Sequence, residues 1–194
     1  IDIPIGLRSK GNEPRHCDKA ARNYLTRLRS SSVFPTPCRA ATYSESYLKA
    51  NTINRKKTGK GLSKQTWNIT NKIREVDVLL RENPEAGDVF IESHPEVCFT
   101  ALAKGVPMVN YKKTRKGIKE RLKLLKSYWK FPNNPLELDI NGFKRNQVET
   151  DDILDAWVLA ISSSYGRSNL QFLPPDFEYD SEDLPMRMAI PIIK

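Results

Sequence analysis

Three apolar segments of this chain carry carboxylates where burial tolerates them least. Asp2 lies in the opening run Ile1-Asp2-Ile3-Pro4-Ile5, and Glu92 ends the run Val89-Phe90-Ile91-Glu92. Asp151, Asp152 and Asp155 open the segment Asp-Asp-Ile-Leu-Asp-Ala-Trp-Val-Leu-Ala. The first two runs read as buried strands. The third reads as a helix whose apolar face is Ile153, Leu154, Trp157, Val158 and Ile161. Desolvating a carboxylate costs several kcal/mol unless a cation compensates it. The chain must therefore fold so that cations reach these acids.

A divalent metal is one such cation. Mg²⁺ and Mn²⁺ prefer hard oxygen ligands and are held by a few carboxylates, water and substrate phosphate. Two such ions about 3.5–4 Å apart stabilise both the attacking and the leaving oxygen in phosphodiester cleavage. Asp2 and Glu92 on strands, with the last helix laid against the sheet, would supply the convergence this chemistry needs. Residues three and four apart share a helix face, so Asp155 aligns with Asp152 or with Asp151, and Asp152 with Asp155 is the preferred pair. Each acid also has a plain structural reading. Asp151 and Asp152 would favour a helix N-terminus through its dipole, Asp2 would serve a turn or cap, and Glu92 would form a buried salt bridge. Other chemistries are poorly supported. His94 and Cys98 are four apart, but His16, Cys17 and Cys38 lack zinc-ligand spacing. There is no G-x-S-x-G and no Walker loop.

The 194 residues suffice for one domain, and 39% hydrophobic with 28% charged residues describes a globular chain rather than a disordered one. No apolar run approaches the roughly 20 residues of a membrane span. Three cysteines without a C-x-x-C pair point to a reduced, cytoplasmic protein. The net charge of +9 is unevenly spread. Positions 8 to 64 hold fourteen Lys or Arg against Glu13, Asp18 and Glu45, and positions 110 to 130 hold nine against Glu120. These blocks suit a polyanion such as DNA or RNA. Helices are expected over 14–28, 63–83, 114–129 and 151–164, the third stopped by Pro132 and Pro135. A Ser-, Pro- and Gly-rich irregular stretch is expected over 30–62. The acidic, Pro-rich tail from 173 to 194 is expected to wrap the surface. The chain begins without Met inside an apolar run, so strands preceding Ile1 are expected to be missing.

Several blocks together resemble a known family, the bacterial and archaeal predicted RNase H-like nucleases of unknown function. They are Ile-Asp-Ile-Pro-Ile-Gly-Leu at 1–7, Cys-Asp-Lys-Ala-Ala-Arg at 17–22 and Ser-Ser-Val-Phe-Pro-Thr-Pro at 31–37. Gly-Leu-Ser-Lys-Gln at 61–65, Glu-Ser-His-Pro-Glu at 92–96 and Asp-Asp-Ile-Leu-Asp-Ala at 151–156 continue the series. The resemblance implies an α/β fold, a mixed RNase H-like sheet flanked by helices. It forms a single domain over 1–194 with a basic insertion near 30–83. Asp2 would close the fourth strand, Glu92 the fifth, and Asp152 and Asp155 would sit on the final helix. These four would bind Mg²⁺ or Mn²⁺ and catalyse cleavage of nucleic acid. Arg22, Arg39, Lys64, Gln65 and Lys113 would contact substrate. The family's leading Gly-Asp-Gly-like strand is not in this sequence. Two other readings remain open: a non-catalytic nucleic-acid-binding module, and a small-molecule phosphoryl transferase.

Overall fold

A computed structural model describes residues 1–130, 136 and 148–193. The fold is mixed α/β, and the sheet found among the described residues has two antiparallel strands, β1 (Leu170–Tyr179) and β2 (Pro185–Pro191). The tail is thus part of the core rather than a surface wrap. Met186, Met188 and Ile190 alternate along β2 and are buried against Cys17, Ala21, Leu25, Val97 and Ala101. The register shifts between Leu173 and Glu178, where Pro174 and Pro175 have no N–H to give the ladder.

The expected strands at 1–5 and 88–92 are extended chain rather than assigned strands, and a 3₁₀ turn, Pro84–Asp88, takes the start of the second. The Ile1 nitrogen donates to the Ile91 carbonyl (2.7 Å), and the Ser93 amide donates to the Ile1 carbonyl (2.9 Å). On the other side, the Ala189 amide donates to the Glu92 carbonyl (2.8 Å). Pro4 lacks a donor and the Ile5 amide turns to the Glu92 carboxylate (2.7 Å), so no longer ladder forms.

Helix α1 (His16–Tyr24) lies across the hairpin, and the expected continuation to 28 breaks at Leu25, after which Thr26–Arg29 forms a separate turn, α2. Within the stretch expected to be irregular, α3 (Arg39–Thr42) and α4 (Tyr47–Thr58) form a small cluster around Cys38, Ala41, Ala50 and Leu62. Helix α4 is capped by Ser46 and closed by Gly59 at φ 70°, a left-handed conformation that glycine adopts without strain. It was hard to foresee because Leu48 is exposed while Asn54 is buried, so its apolar stripe is weak. The next helix, α5 (Lys64–Glu82), follows expectation, with Ser63 Oγ accepting from the Thr66 amide. Arg39 joins this cluster to the body by donating to Asp77 of α5 and Asp180 of the tail (both 2.5 Å).

Helix α6 (Pro95–Leu102) is buried at every position, which marks it as the central helix. Against it pack β2, α7 (Arg115–Tyr128) and α8 (Thr150–Ser164). Helix α7 ends at Tyr128; Pro132 and Pro135, expected to stop it, lie outside the described residues. No helix among the described residues is long and apolar enough to cross a membrane.

One buried cation ties the central segments together. Arg15, 2% exposed, donates through Nη1 to the carbonyls of Ile5 (2.9 Å) and Gly6 (3.2 Å) and to Glu92 Oε2 (2.8 Å). Its Nη2 donates to Glu92 Oε1 (2.7 Å) and Asp18 Oδ1 (2.6 Å). Burial works against this guanidinium, but Asp18 and Glu92 raise its pKa above the ordinary value. Replacing Arg15 with Met would leave two buried carboxylates unpaired, and such a break costs about 3–5 kcal/mol. Urea unfolding of Arg15→Met should show a loss of that size.

Candidate functional site

Two groups of acids result, and they differ in what neutralises them. In the first, Cys17, Asp18 and Glu92 lie close enough to share an ion, all three buried. Arg15 already fills that role, and burial pushes the Cys17 thiol well up, against the thiolate a metal would need. With Arg15 in place the charge of this group is already neutralised. Glu92, expected in the site, has both oxygens bonded, to Arg15 and to the Ile5 amide.

The second group forms where α6, α7 and α8 meet. Helix α8 starts with Glu149 at its N-cap rather than Thr150, and the Asp152 carboxylate accepts the Glu149 amide (3.1 Å) in a capping box. Asp152 is therefore a capping group at the exposed surface, and the expected pairing of Asp152 with Asp155 gives way to Asp151 with Asp155, four residues apart. Lys112 Nζ donates to Asp155 Oδ2 (2.7 Å) and lies 3.0 Å from Asp151 Oδ2. Burial works against the Lys112 ammonium, yet the hydrogen bonds and charges of Asp155 and Asp151 raise its pKa.

Asp155 Oδ1 is buried and has no hydrogen-bond partner. Glu96, 4% exposed on α6, gives Oε1 to Arg121 of α7, and its Oε2 is likewise buried without a partner. Asp2 has no hydrogen bond or salt bridge among the described residues; its surface is open to solvent, but protein crowds around it. Desolvation raises the Asp2 pKa, against the charges of His94 and Lys112. Burial also raises the Asp155 pKa; Lys112 opposes that, while Asp2 and Glu96 add to it by repulsion. Asp2 and Glu96 thus both stand within electrostatic reach of Asp155. For Asp151, burial works upward, but Lys112 holds the carboxyl below the ordinary range.

The loop carrying Lys112 is held on α7 from both sides. Glu120 accepts the amides of Val109 and Asn110 (both 2.8 Å), and Thr114 Oγ1 donates to the Tyr111 carbonyl (2.7 Å) while capping the helix. At Gly117 a Cβ would overlap the Tyr111 carbonyl, so the loop can lie this close only over glycine. Arg121, fully buried, donates to the Asn110 carbonyl (3.1 Å) and sits over the Phe99 ring.

Of the expected site residues, Asp2 and Asp155 are within electrostatic reach of each other, Glu92 is bonded to Arg15, and Asp152 caps α8. Lys113 lies beside the group, paired with Glu149. Arg22 donates to the Val33 carbonyl (2.5 Å), and Arg39 is engaged by Asp77 and Asp180. Lys64 and Gln65 are exposed on the first turn of α5, with Lys64 Nζ 5.8 Å from the Tyr47 ring centroid. Glu96, Lys112 and Arg15 were missed. Glu96 had a signal, being the one charged residue in the apolar helix Pro-Glu-Val-Cys-Phe-Thr-Ala-Leu. Lys112 and Arg15 had none, because each is one base among many.

Fold and site together define a mixed α/β protein whose central helices carry acids held by buried and half-buried bases. The chain belongs to the family described as Protein of unknown function (DUF429), which matches residues 1–178. Comparison with curated proteins and with solved structures found no match.

Gly117→Ala should dislodge the Lys112 loop and lower the melting temperature, a change that thermal unfolding by circular dichroism would reveal. The raised Asp155 pKa has a definite sign. Its contribution to stability is fully present below the unfolded-state pKa and is lost as pH rises through the folded-state value. Asp155→Asn cannot ionise. In metal-free protein its stability relative to wild type should therefore increase over that pH window, as measured by urea unfolding at stepped pH.

Proposed function

We propose that this protein is a metal-dependent nuclease with an RNase H-like fold, whose site is built from Asp2, Glu96 and Asp155. The observation that carries the reading is the pair of buried, unpartnered oxygens, Asp155 Oδ1 and Glu96 Oε2, with Asp2 and Glu96 both within electrostatic reach of Asp155. Buried carboxylate oxygens without partners are costly, and hard oxygen donors from three separate segments suit Mg²⁺ or Mn²⁺. When bound, such an ion supplies Lewis-acid neutralisation of charge on a phosphodiester. The chain's own residues do the rest. Lys112 holds Asp151 and one oxygen of Asp155, which fixes the Asp155 carboxylate and leaves Oδ1 free. Arg121 holds Glu96 in the same manner through Oε1. His94, near Asp2, gives Nε2 to the Ser32 carbonyl (3.2 Å), and its Nδ1 is buried without a partner.

Nucleic acid as substrate is favoured by helix α7. Lys116, Lys119, Lys123 and Lys126 are exposed, spaced three, four and three apart, and form no ion pair among the described residues. That stripe suits a phosphate backbone. It equally supports the second reading, a binding module without catalysis. Three free, buried cysteines support a reducing, cytoplasmic setting.

Asp155→Asn and Glu96→Gln should each lower Mn²⁺-dependent cleavage of DNA or RNA by at least about 100-fold. Asp152→Asn should leave cleavage per folded molecule unchanged, and Glu92→Gln should act through stability. Cleavage by Glu96→Gln at the wild-type rate would sink the proposal; salt-sensitive binding without cleavage in any of these proteins would favour the binding module.

A further inference from the structure

From Ser46 to Arg74 the chain carries eight lysines and arginines and no acid. Lys49 and Lys72 pair with Glu45 and Glu75, which flank that stretch, and Arg74 lies over the Tyr43 ring. Arg55, Lys56, Lys57, Lys60 and Lys64, around the turn from α4 to α5, are exposed and form no ion pair among the described residues. The Gly11 amide donates to the Lys57 carbonyl (2.9 Å), which brings exposed Lys10 beside them, with Glu13 the acid closest to it in sequence. A Gly-Lys-Gly connector is ordinarily flexible, but this one is fixed. Asn54, 5% exposed, accepts the Cys38 amide (2.9 Å) and donates to the Lys60 carbonyl (2.9 Å). Asn51 Oδ1 accepts the Leu62 amide (2.8 Å), and the Tyr47 hydroxyl donates to the Leu62 carbonyl (3.1 Å). The polar side chains that weaken the apolar stripe of α4 thus hold the connector in place.

Helix stability accounts for part of this charge, since Arg55, Lys56 and Lys57 suit the negative end of the α4 dipole. It does not account for Lys64, which stands in the first turn of α5, where the dipole disfavours a cation. Nor does it account for Lys10 and Lys60, which lie outside any helix. Resting on the nucleic-acid reading above, we propose that the α4–α5 turn is a preformed binding surface for the phosphate backbone of duplex nucleic acid, separate from the stripe on α7. A connector already fixed before contact has less freedom to lose on binding. Between Arg55 and Gln65 the one large apolar side chain, Leu62, is buried. The turn therefore offers neither a ring for an unpaired base nor an apolar anchor for a lipid bilayer, and its chemistry is that of backbone contact.

The test is fluorescence-anisotropy binding of the full chain to a mixed-sequence DNA duplex at stepped salt, in metal-free buffer so that the duplex stays intact. Each phosphate contact contributes about 0.9 to the slope of log Kd against log salt. Combining Lys56→Gln, Lys57→Gln and Lys60→Gln should lower that slope by about 2–3 and weaken binding on the order of 100-fold at about 0.1 M salt. Lys10→Gln with Lys64→Gln should lower it by about 2. The same three positions changed to Arg should keep the wild-type slope. Lys49→Gln with Lys72→Gln, which removes two charges already paired, should leave it unchanged. Circular dichroism checks that each variant is folded. An unchanged slope in either folded glutamine variant, an equal drop in the Lys49 and Lys72 control, or binding to phosphatidylserine vesicles in place of duplex would overturn the proposal. Mn²⁺-dependent cleavage by wild type, assayed separately, decides the nuclease reading: cleavage with unchanged slopes removes the role of the turn alone, and neither cleavage nor salt-sensitive binding removes both.

Discussion

Arg15 is the constraint on which the rest of the structure depends. Its guanidinium holds Asp18 on α1, Glu92 in the central extended segment and two carbonyls of the opening run. The opening run cannot make a full ladder, since Pro4 has no N–H and the Ile5 amide goes to the Glu92 side chain. A planar cation with five donors does what a ladder would otherwise do, joining three segments from one buried point. Glu92 is satisfied there by Arg15 and the Ile5 amide. The extended segment is thereby set between the opening run and β2, and α6 follows directly from it.

That arrangement divides the acids of the central segment. Glu92 and Glu96 are four residues apart, both almost wholly buried, and each meets a buried arginine. Glu92 has both oxygens bonded, whereas Glu96 keeps one oxygen without a partner. The same division appears on α8. Asp152 closes the helix start, Asp151 is held by Lys112, and Asp155 is held through one oxygen only. Glu92 and Asp152 are engaged in structural bonds, whereas Glu96 and Asp155 each keep one buried oxygen without a partner, as Asp77 does on α5. Glu96 and Asp155 are each held by a base from the α7 region, so that helix and its loop position both acids as well as carrying the basic surface.

Much of the helical framework was readable in the residues. The apolar spacing of α5, α7 and α8 and the caps Ser63 and Thr114 led directly to those elements. The β hairpin was not read, although Met186, Met188 and Ile190 alternate, because prolines and acids in the tail suggested exposed chain. Helix α4 was hidden by an exposed Leu48 and a buried Asn54. The apolar surroundings of Asp2 and Asp155 single those acids out in the sequence, and the fold puts them within electrostatic reach of each other. Asp152 was preferred over Asp151 because spacing alone allows either, and only the capping hydrogen bond to Glu149 separates them.

The order of residues by itself carried Glu92 and Asp151 inward, because their apolar neighbours at strand and helix spacing seek the core, whereas Asp2 and Asp152 in similar runs stay exposed. Tertiary structure alone decided which cation each acid meets. Arg15 is 77 residues from Glu92, Arg121 is 25 from Glu96 and Lys112 is 43 from Asp155. Among 32 lysines and arginines, local sequence offers no means of choosing those three, because partner choice depends on distances set by packing. How many oxygens of a buried carboxylate find a partner is likewise set by that packing and not by its neighbours in sequence.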